Sequence, residues 1–396
     1  MASKPLSITL IILAQVLALS VWFAGTAALP ALNAAADIGR GAQAALISSV
    51  QIGFVIGALT SAILGLADRF DPRRLFITGA LLAGIANAAA LMTEPGSVSM
   101  IATRAIAGVS LALVYPVGMK LAASWARGDA GLLVGLLVGA LTLGSATPFA
   151  FNLLDTGTGW QTPFLFSAMA AGLSAILIGF ALPGPAFRAG GKFDPRSALL
   201  AYRDPALRLA NFGYLGHMWE LYAMWAWVPV FLHAYFGQNT VTADITAFCV
   251  VAIGAAGCLV AGWAADRYGR TTITIAAMSV SGTCALLSGF LFGAPVWLLV
   301  PVLLFWGLSV VADSAQFSAS IAELCPPDKV GTLLTIQTAT GFALTAIIVQ
   351  LLPVWIDHAG WRYAFIPLAI GPAFGVWAMW RLRHRPEAVK LAGGKR

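Results

Sequence analysis

Apolar residues run along this 396-residue chain in long stretches, and the charged residues fall almost entirely between them. A membrane-spanning helix needs about 20 mostly apolar residues. Twelve such segments fit, beginning near Leu6, Ala44, Leu75, Val98, Gly131, Thr162, Leu209, Val241, Thr272, Pro295, Val330 and Arg362. The links are short except for Pro183 to Arg208, which carries Pro183, Pro185, Pro195 and Pro205 with five basic residues and divides six segments from six. The pattern predicts an all-α membrane protein of twelve transmembrane helices in two six-helix bundles, 1–183 and 209–383. A cytoplasmic central loop, 184–208, joins them, and a cytoplasmic tail, 384–396, follows.

Composition agrees. Hydrophobic residues make up 59% of the chain and charged residues 10%, with a mean hydropathy of +0.86; globular domains carry roughly 25% charge. The 13 Trp and 41 Gly suit interfacial anchoring and close packing of spanning helices. A formal charge of +7 would suggest nucleic acid for a soluble chain, but the positions of the charges decide otherwise. With alternate loops assigned to opposite sides, every Lys and Arg except Arg40, Arg362 and the intramembrane Arg104 lies on the side of both termini. By the positive-inside rule that side is cytoplasmic. The run Arg381-Leu-Arg383-His384-Arg385 reads as a topology anchor, not a nucleic-acid patch. Lys4 and the apolar run to Leu29 imitate a signal peptide, but the run exceeds the 7–15 residues of a signal core and is read as the first span. No nucleotide-binding loop appears, and the four cysteines have no metal or redox spacing, so no cofactor is expected.

The chain repeats itself. Gly262-Trp-Ala-Ala-Asp266-Arg267-Tyr268-Gly269-Arg270 sits between the second and third spans of its half, and an imperfect copy, Gly65-Leu-Ala-Asp68-Arg69-Phe70-Asp71-Pro72-Arg73-Arg74, occupies the same place in the first half. Asp68 and Asp266 are 198 positions apart, Gly108-Val-Ser110 and Gly307-Leu-Ser309 are 199 apart, and Gly159-Trp160-x-x-x-Phe164 and Gly360-Trp361-x-x-x-Phe365 are 201 apart. A near-constant offset at three places argues for duplicated, pseudo-symmetric halves.

Twelve spans, a six-plus-six repeat, a long central loop and Gly-x-x-x-Asp-Arg-x-Gly-Arg between second and third helices resemble the major facilitator superfamily of secondary transporters. The resemblance covers the whole chain. The second motif copy is in register at Gly262, Asp266, Arg267, Gly269 and Arg270, whereas the first has its glycine one residue closer to the aspartate and Asp71-Pro72 where the family has glycine. The resemblance implies that Asp68, Arg69, Arg73, Asp266, Arg267 and Arg270 form a gating latch on the cytoplasmic side. Asp68 would face the start of the eleventh helix near Asp328, and Asp266 the start of the fifth near Asp129. Physically, a carboxylate suits the positive end of a helix from the other half, and the arginines suit nearby carboxylates and carbonyls. Topology-setting charges are the plainer reading.

The resemblance also implies that the first, fourth, seventh and tenth helices line a central cavity. Intramembrane polar residues gather on those spans, where a charge is costly unless it faces a cavity or a partner. In the seventh, Gly213, His217, Glu220, Met224 and Trp227 recur at three- and four-residue spacing, hence on one face. Glu220 is a candidate coupling carboxylate with His217 beside it; a structural glutamate and a direct substrate ligand are the alternatives. In the tenth, Trp306, Ser309, Asp313, Gln316, Ser320 and Glu323 share the same spacing, with Asp313 deep enough for a second proton or cation site and Glu323 a boundary capping or latch charge. In the fourth, Arg104, Gly108, Leu111, Tyr115 and Met119 share a face. Arg104 and Gly108 resemble the family's arginine and glycine tied to proton transfer; if buried, Arg104 would pair with a carboxylate or an anionic substrate, and otherwise it snorkels. Gln15, Trp22 and Thr26 in the first span, Gln51 in the second and Gln337 in the eleventh supply amides and a hydroxyl for a small polar solute, or for gluing helices together.

These features predict a monomeric secondary transporter in a bacterial inner membrane. It would move a small molecule or ion by alternating access, with protons, the lipid bilayer and its solute as partners and no nucleic acid. The fifth-helix stretch Gly139 to Pro148 lacks the signature of drug-efflux antiporters, which favours proton-coupled symport. Tyr115-Pro-Val-Gly118-Met-Lys120 is similar to nitrate/nitrite and cyanate porters. Proton-coupled efflux and a non-transporting sensor on a transporter scaffold are the alternatives. An enzyme is not expected, since no nucleophile or metal set accompanies His217 and Glu220.

Overall fold

A computed structural model describes residues 4–126, 130–155, 157–185, 187 and 194–395, with the backbone alone at Asp68, Ala130, Gly131 and Arg196. Those residues contain helices and no strand. The first six long helices are α1 (Lys4–Ala36), α2 (Arg40–Leu64), α3 (Pro72–Ala90), α4 (Val98–Ala123), α5 (Ala130–Phe151) and α6 (Gln161–Phe180). The second six are α7 (Pro205–Phe236), α8 (Thr240–Tyr268), α9 (Arg270–Phe290), α10 (Val296–Leu324), α11 (Val330–Ala359) and α12 (Ile370–Arg383). Short turns of helix connect some of them. The observed starts fall within five residues of the expected ones except at the twelfth, where short 3-10 turns at Trp361–Tyr363 and Ile366–Ala369 precede the α-helix.

Among the described residues, ten spans are long and apolar enough to cross a membrane by length and composition. The other two are α3, which opens on Arg73 and Arg74, and α7, which carries His217 and Glu220. Polar groups inside α7 are tolerable because most of it is enclosed by protein, with 21 buried residues in 32. Local chemistry sets the boundaries. Asp71 and Asp204 accept backbone N–H bonds at the starts of α3 and α7, each followed by proline at the first helical position. Thus Asp71-Pro72, which departs from the family loop pattern, builds a helix cap. Gly65, at φ 61°, ends α2 in the left-handed conformation that glycine adopts without strain.

In the first bundle α1 packs on α5 and α6, α2 on α4, and α3 on α4 and α6; in the second α7 packs on α11 and α12, and α9 on α10 and α12. The bundles meet where α2 lies on α11, α5 on α8 and α1 on α7. The repeat is visible in atomic detail. A Cβ on Gly108 would strike the carbonyl oxygen of Val50, and one on Gly307 that of Val250; Gly57 and Gly257 lie just as close to Val109 and Leu308. Bare Cα atoms at these places let α2 approach α4 and α8 approach α10.

Two helices expected to be continuous are broken over three residues, and α8 is interrupted by a single turn residue, Ile253. In α4 the helix stops at Leu111 and resumes at Tyr115; in α10 it stops at Val310 and resumes at Ser314. The breaks at 112–114 and 311–313 are themselves 199 positions apart. They interrupt the single faces inferred from spacing, because the i→i+3 bonds there, such as Val114 N–H to Leu111 and Ser314 N–H to Val311, wind the chain more tightly than an α-helix and shift the rotational phase. Side chains before and after each break therefore reach different neighbours.

Candidate functional site

Four rings from four helices meet where the bundles join. Trp22 of α1 lies 4.9 Å from Phe54 of α2, 5.7 Å from Tyr222 of α7 and 5.3 Å from Phe342 of α11, and Phe54 and Phe342 are 4.6 Å apart. Phe23 and Trp225 extend the cluster. All are buried. Along α1 and α11, which run from the face carrying the chain termini (the terminal face) to the far face, Gln15 and Gln337 precede the rings; Gln51 of α2 lies one turn beyond them.

These three glutamines are at most 1% exposed, and neither amide oxygen nor nitrogen of any of them has a hydrogen-bond partner among the described residues. The indole nitrogens of Trp22 and Trp225 are also unpaired. An unpaired buried polar group costs about 1–3 kcal/mol, so several together mark a place where a ligand or water completes the bonding. Gln15 fits because Gly118 lacks a side chain: a Cβ there would overlap its Oε1. Thr26 and Met224 are buried, and Tyr115, the first residue after the α4 break, is half-buried. Trp227 is committed elsewhere, donating Nε1–H to the carbonyl of Val349 at 3.2 Å.

Beside this centre, His217 Nδ1 lies 2.9 Å from Asp313 Oδ1, each side chain 1% exposed. The pair is within ion-pairing distance, yet neither Asp313 oxygen meets a donor in hydrogen-bonding geometry and His217 Nε2 is unpaired. Asp313 sits at the break in α10, at the N-terminus of the resumed helix, where the helix dipole favours negative charge. Glu220, less than a turn from His217, points away from that pair. Its Oε1 accepts from Trp306 Nε1 at 2.7 Å and its Oε2 from the Ser281 hydroxyl at 2.8 Å, so it lies among α7, α9 and α10 inside the second bundle.

Arg104 is buried, not snorkelling, and its partners are neither a carboxylate nor an open cavity. It donates to Asn87 Oδ1 at 2.5 Å and to the carbonyls of Val21 and Trp22 at 2.7 and 2.8 Å, beside Gly25. Asn87 in turn donates to the carbonyl of Phe164. The guanidinium thus pins α1 to α3, α4 and α6, and the anionic partner expected from its position is absent among the described residues.

At the far face three ties cross between bundles. Arg40 pairs with Asp357 at 2.8 Å, Gln350 donates to Ser48 at 2.7 Å, and Asn152 donates to Asp244 at 3.0 Å, with His233 3.1 Å from the same Asp244 oxygen. Toward the terminal face a cavity of about 300 Å³ lies between α2, α4 and α11, bordered by Ser61, Lys120, Thr335 and Thr338.

A family model described as the Major Facilitator Superfamily matches residues 11–349 and again 212–396. The chain belongs to this superfamily. A D-xylose-proton symporter structure is 18% identical, with TM-score 0.75 over 98% of this chain and 99% of that one. The xylose transporter XylE from E. coli, partially occluded and inward open, is 15% identical, with TM-score 0.75 over 96% of this chain and 99% of that one. The proton:xylose symporter XylE bound to 6-bromo-6-deoxy-D-glucose gives 15% and 0.74 over 96% of both chains. At these identities the likeness is one of fold. No curated protein matches the chain.

In the superfamily's loop motif, the second copy is turned toward its own bundle. Arg270 donates through Nε and Nη2 to Glu323 at 2.8 and 2.6 Å and through Nη1 to Gln316 Oε1 at 2.8 Å. Gln316, expected on the solute-facing side, is thereby drawn to α9, because it follows the break in α10. Asp266 is 59% exposed and 3.7 Å from Arg270; its expected neighbour Asp129 lies outside the described residues. Arg267 stacks between Trp263 and Tyr268. The C-terminal tail is docked here: Ala392 N–H donates to Glu323 and Lys395 to the carbonyl of Asp266. In the first copy the Asp68 side chain is not described, Arg69 is exposed, and Arg73 is bound to Asp71 at 3.0 Å, an exchange that lowers the Asp71 pKa chiefly through that side-chain bond.

Sequence reasoning missed Ser281, Asn87, Asn152 and Asp244. Single polar residues outside the first, fourth, seventh and tenth helices carry no periodic signal of their own; only their partners make them visible.

Proposed function

We propose that this superfamily member is a monomeric proton-coupled symporter of a small polyhydroxylated solute, working by alternating access in a bacterial inner membrane. In this reading bundles 1–183 and 209–383 move about the linker 184–208, and the basic terminal face, with the tail 384–396, is cytoplasmic. The observation that carries it is the set of unpaired buried amides, Gln15, Gln51 and Gln337, on helices that meet across the bundle interface. Amides offer both donors and acceptors, and together with the unpaired indoles of Trp22 and Trp225 they match sugar hydroxyls, which also donate and accept. The fold neighbours named as proton:xylose symporters support the same class. No observation favours an anion, since Arg104 is consumed within the first bundle.

Proton coupling is assigned to His217 and Asp313, with Glu220 as a second carboxylate behind them. A protonated His217 and ionised Asp313 form a net-neutral pair, which an enclosed centre tolerates; loss of the proton leaves a net negative charge, which favours opening to water. Protonation thus favours closure around solute. Asp266, Arg267 and Arg270, with Asp68, Arg69 and Arg73, are assigned to the cytoplasmic gate, and the far-face ties to the opposite gate. The test is uptake of radiolabelled monosaccharides by proteoliposomes under an inward proton gradient. At least one sugar should accumulate above equilibrium and collapse with an uncoupler; accumulation unaffected by the uncoupler would reject symport.

A further inference from the structure

We propose that the cleft between the terminal-face ends of α7 and α12 binds the headgroup of an anionic phospholipid. The cleft encloses about 370 Å³ and is bordered by Arg208, Arg381 and Arg385 with Leu209, Phe212 and Trp377. Arg208 of α7, Arg381 of α12 and Arg385 just past the end of α12 border one opening. Arg385 is compensated by Glu387, at 3.1 and 3.2 Å. Arg208 and Arg381 are exposed and make no ion pair among the described residues; the nearby Asp204 caps α7 through Oδ1 and keeps its negative charge. Three arginines against the Glu387 and Asp204 carboxylates leave the cleft with a net charge of about +1, and Arg208 and Arg381, which have no ion pair of their own, are free to turn toward an anion. Arginine's planar fork suits phosphate oxygens.

The wall below the charges decides which phosphate. Phe212 lies 5.5 Å from Phe374, which stacks on Trp377 at 5.4 Å, and Phe374 and Trp377 are 41% and 45% exposed on the outside of the bundle. Such a wall has no use for inorganic phosphate but suits acyl chains descending from a headgroup held by the arginines. Basic clusters at the inner membrane surface attract anionic lipids, each arginine contributing a factor of about five. Isolated topology anchors need neither a shared opening nor an aromatic wall. Both helices belong to the second bundle, so the site does not depend on the transport assignment.

Native mass spectrometry of the full-length detergent-purified protein tests this, with phosphatidylglycerol, phosphatidylcholine and inorganic phosphate as probes. Wild type should retain phosphatidylglycerol in preference to phosphatidylcholine and show no phosphate adduct. The double variant Arg208→Gln/Arg381→Gln should bind phosphatidylglycerol roughly 25-fold more weakly, and each single variant about fivefold. The control Arg74→Gln removes an exposed arginine elsewhere on the same face, one with no assigned role, and should stay within about twofold of wild type. Equal loss in the control, unchanged binding in the double variant, or a phosphate adduct that displaces the lipid would each overturn the proposal. Thermal unfolding without lipid checks that every variant is folded, and the single variants serve if the double is not.

Discussion

His217 Nδ1 and Asp313 Oδ1 stand 2.9 Å apart, with each side chain 1% exposed, where α10 breaks. One residue on a continuous helix faces another at the N-terminus of a resumed one, so a small rotation of either half of α10 changes the separation and the cost of leaving the pair charged. If this pair carries the coupled proton, Asp313→Asn and His217→Gln should each abolish pH-driven accumulation in proteoliposomes. Solute counterflow, which needs no net proton movement, should stay within about tenfold of wild type, since the barrier cost of a nearby neutral substitution is about 1.4 kcal/mol or less. Full pH-driven accumulation in both variants would remove the pair from the mechanism.

Glu220 poses a separate question, because both its oxygens are satisfied inside the second bundle. Ser281→Ala and Trp306→Phe each leave one buried oxygen unpaired and should destabilise the detergent-solubilised protein by about 1–3 kcal/mol. Glu220→Gln should also lose pH-driven uptake. If instead Glu220→Gln transports normally and only melts earlier, the residue is structural.

Arg104 and Asn87 form a buried clamp on α1. Asn87→Ala leaves a guanidinium N–H without its acceptor and should cost about 1.5–3 kcal/mol, the range for a hydrogen bond to a charged group. Chemical or thermal unfolding reads this directly, and a loss under about 0.5 kcal/mol, the size of ordinary surface substitutions, would show that the clamp is dispensable.

The far-face loop between α5 and α6 titrates. Asp155 accepts from the hydroxyls of Thr162 and Thr158 and from the backbone N–H groups of Gly157, Thr158 and Gly159, and the Thr162 bond leads in lowering its pKa to about 2. A depressed carboxylate contributes stability that is fully present above its ordinary value of about 3.9 and is lost as pH falls toward the folded value. The melting difference between wild type and Asp155→Ala should therefore be constant above about pH 5 and shrink steadily below about pH 3.5. A difference that grows on acidification would contradict the assignment.

The far-face ties predict gating behaviour. Asn152→Ala removes a bridge between the bundles, leaving Asp244 to His233 alone. Gln43 borders a far-face cavity of about 300 Å³ lined also by Arg40, Trp227 and His233, and a cysteine placed there should become more reactive to a membrane-impermeant thiol reagent in that variant. Unchanged reactivity would mean that the packing of α5 on α8, not the side-chain bond, holds the face closed.

Much of this architecture is written in the sequence. Apolar run length gave the spans, and the fixed offset between Gly108 and Gly307 gave the duplication, because close helix approach demands the same small residue in each half. The break in α4 was legible in Pro116, which has no N–H to bond back to Ala112 and whose ring crowds the preceding turn, although spacing alone reads straight through it. The break in α10 was not, since Val311-Ala312-Asp313 and the turn after it contain neither proline nor glycine and read as ordinary helix. Spacing therefore grouped Trp306, Asp313, Gln316 and Glu323 on one face, whereas the structure sends Trp306 to Glu220, Asp313 to His217, and Gln316 and Glu323 to Arg270. Burial of Arg104 and Glu220 was foreseeable from the cost of intramembrane charge. The identity of their partners was not, because Asn87 and Ser281 are distant in sequence and polar in the same way as many helix-packing residues.

The central claim is that a small polyhydroxylated solute binds between the bundles at Gln15, Gln51 and Gln337. Thermal unfolding of purified protein against a panel of monosaccharides and polyols tests it most directly, comparing wild type with the double variant Gln15→Ala/Gln337→Ala. A solute present at 100 times its Kd should stabilise wild type by about 2.7 kcal/mol and leave the double variant, itself folded, unshifted. Equal stabilisation of both proteins, or none of wild type by any member of the panel, would contradict the account.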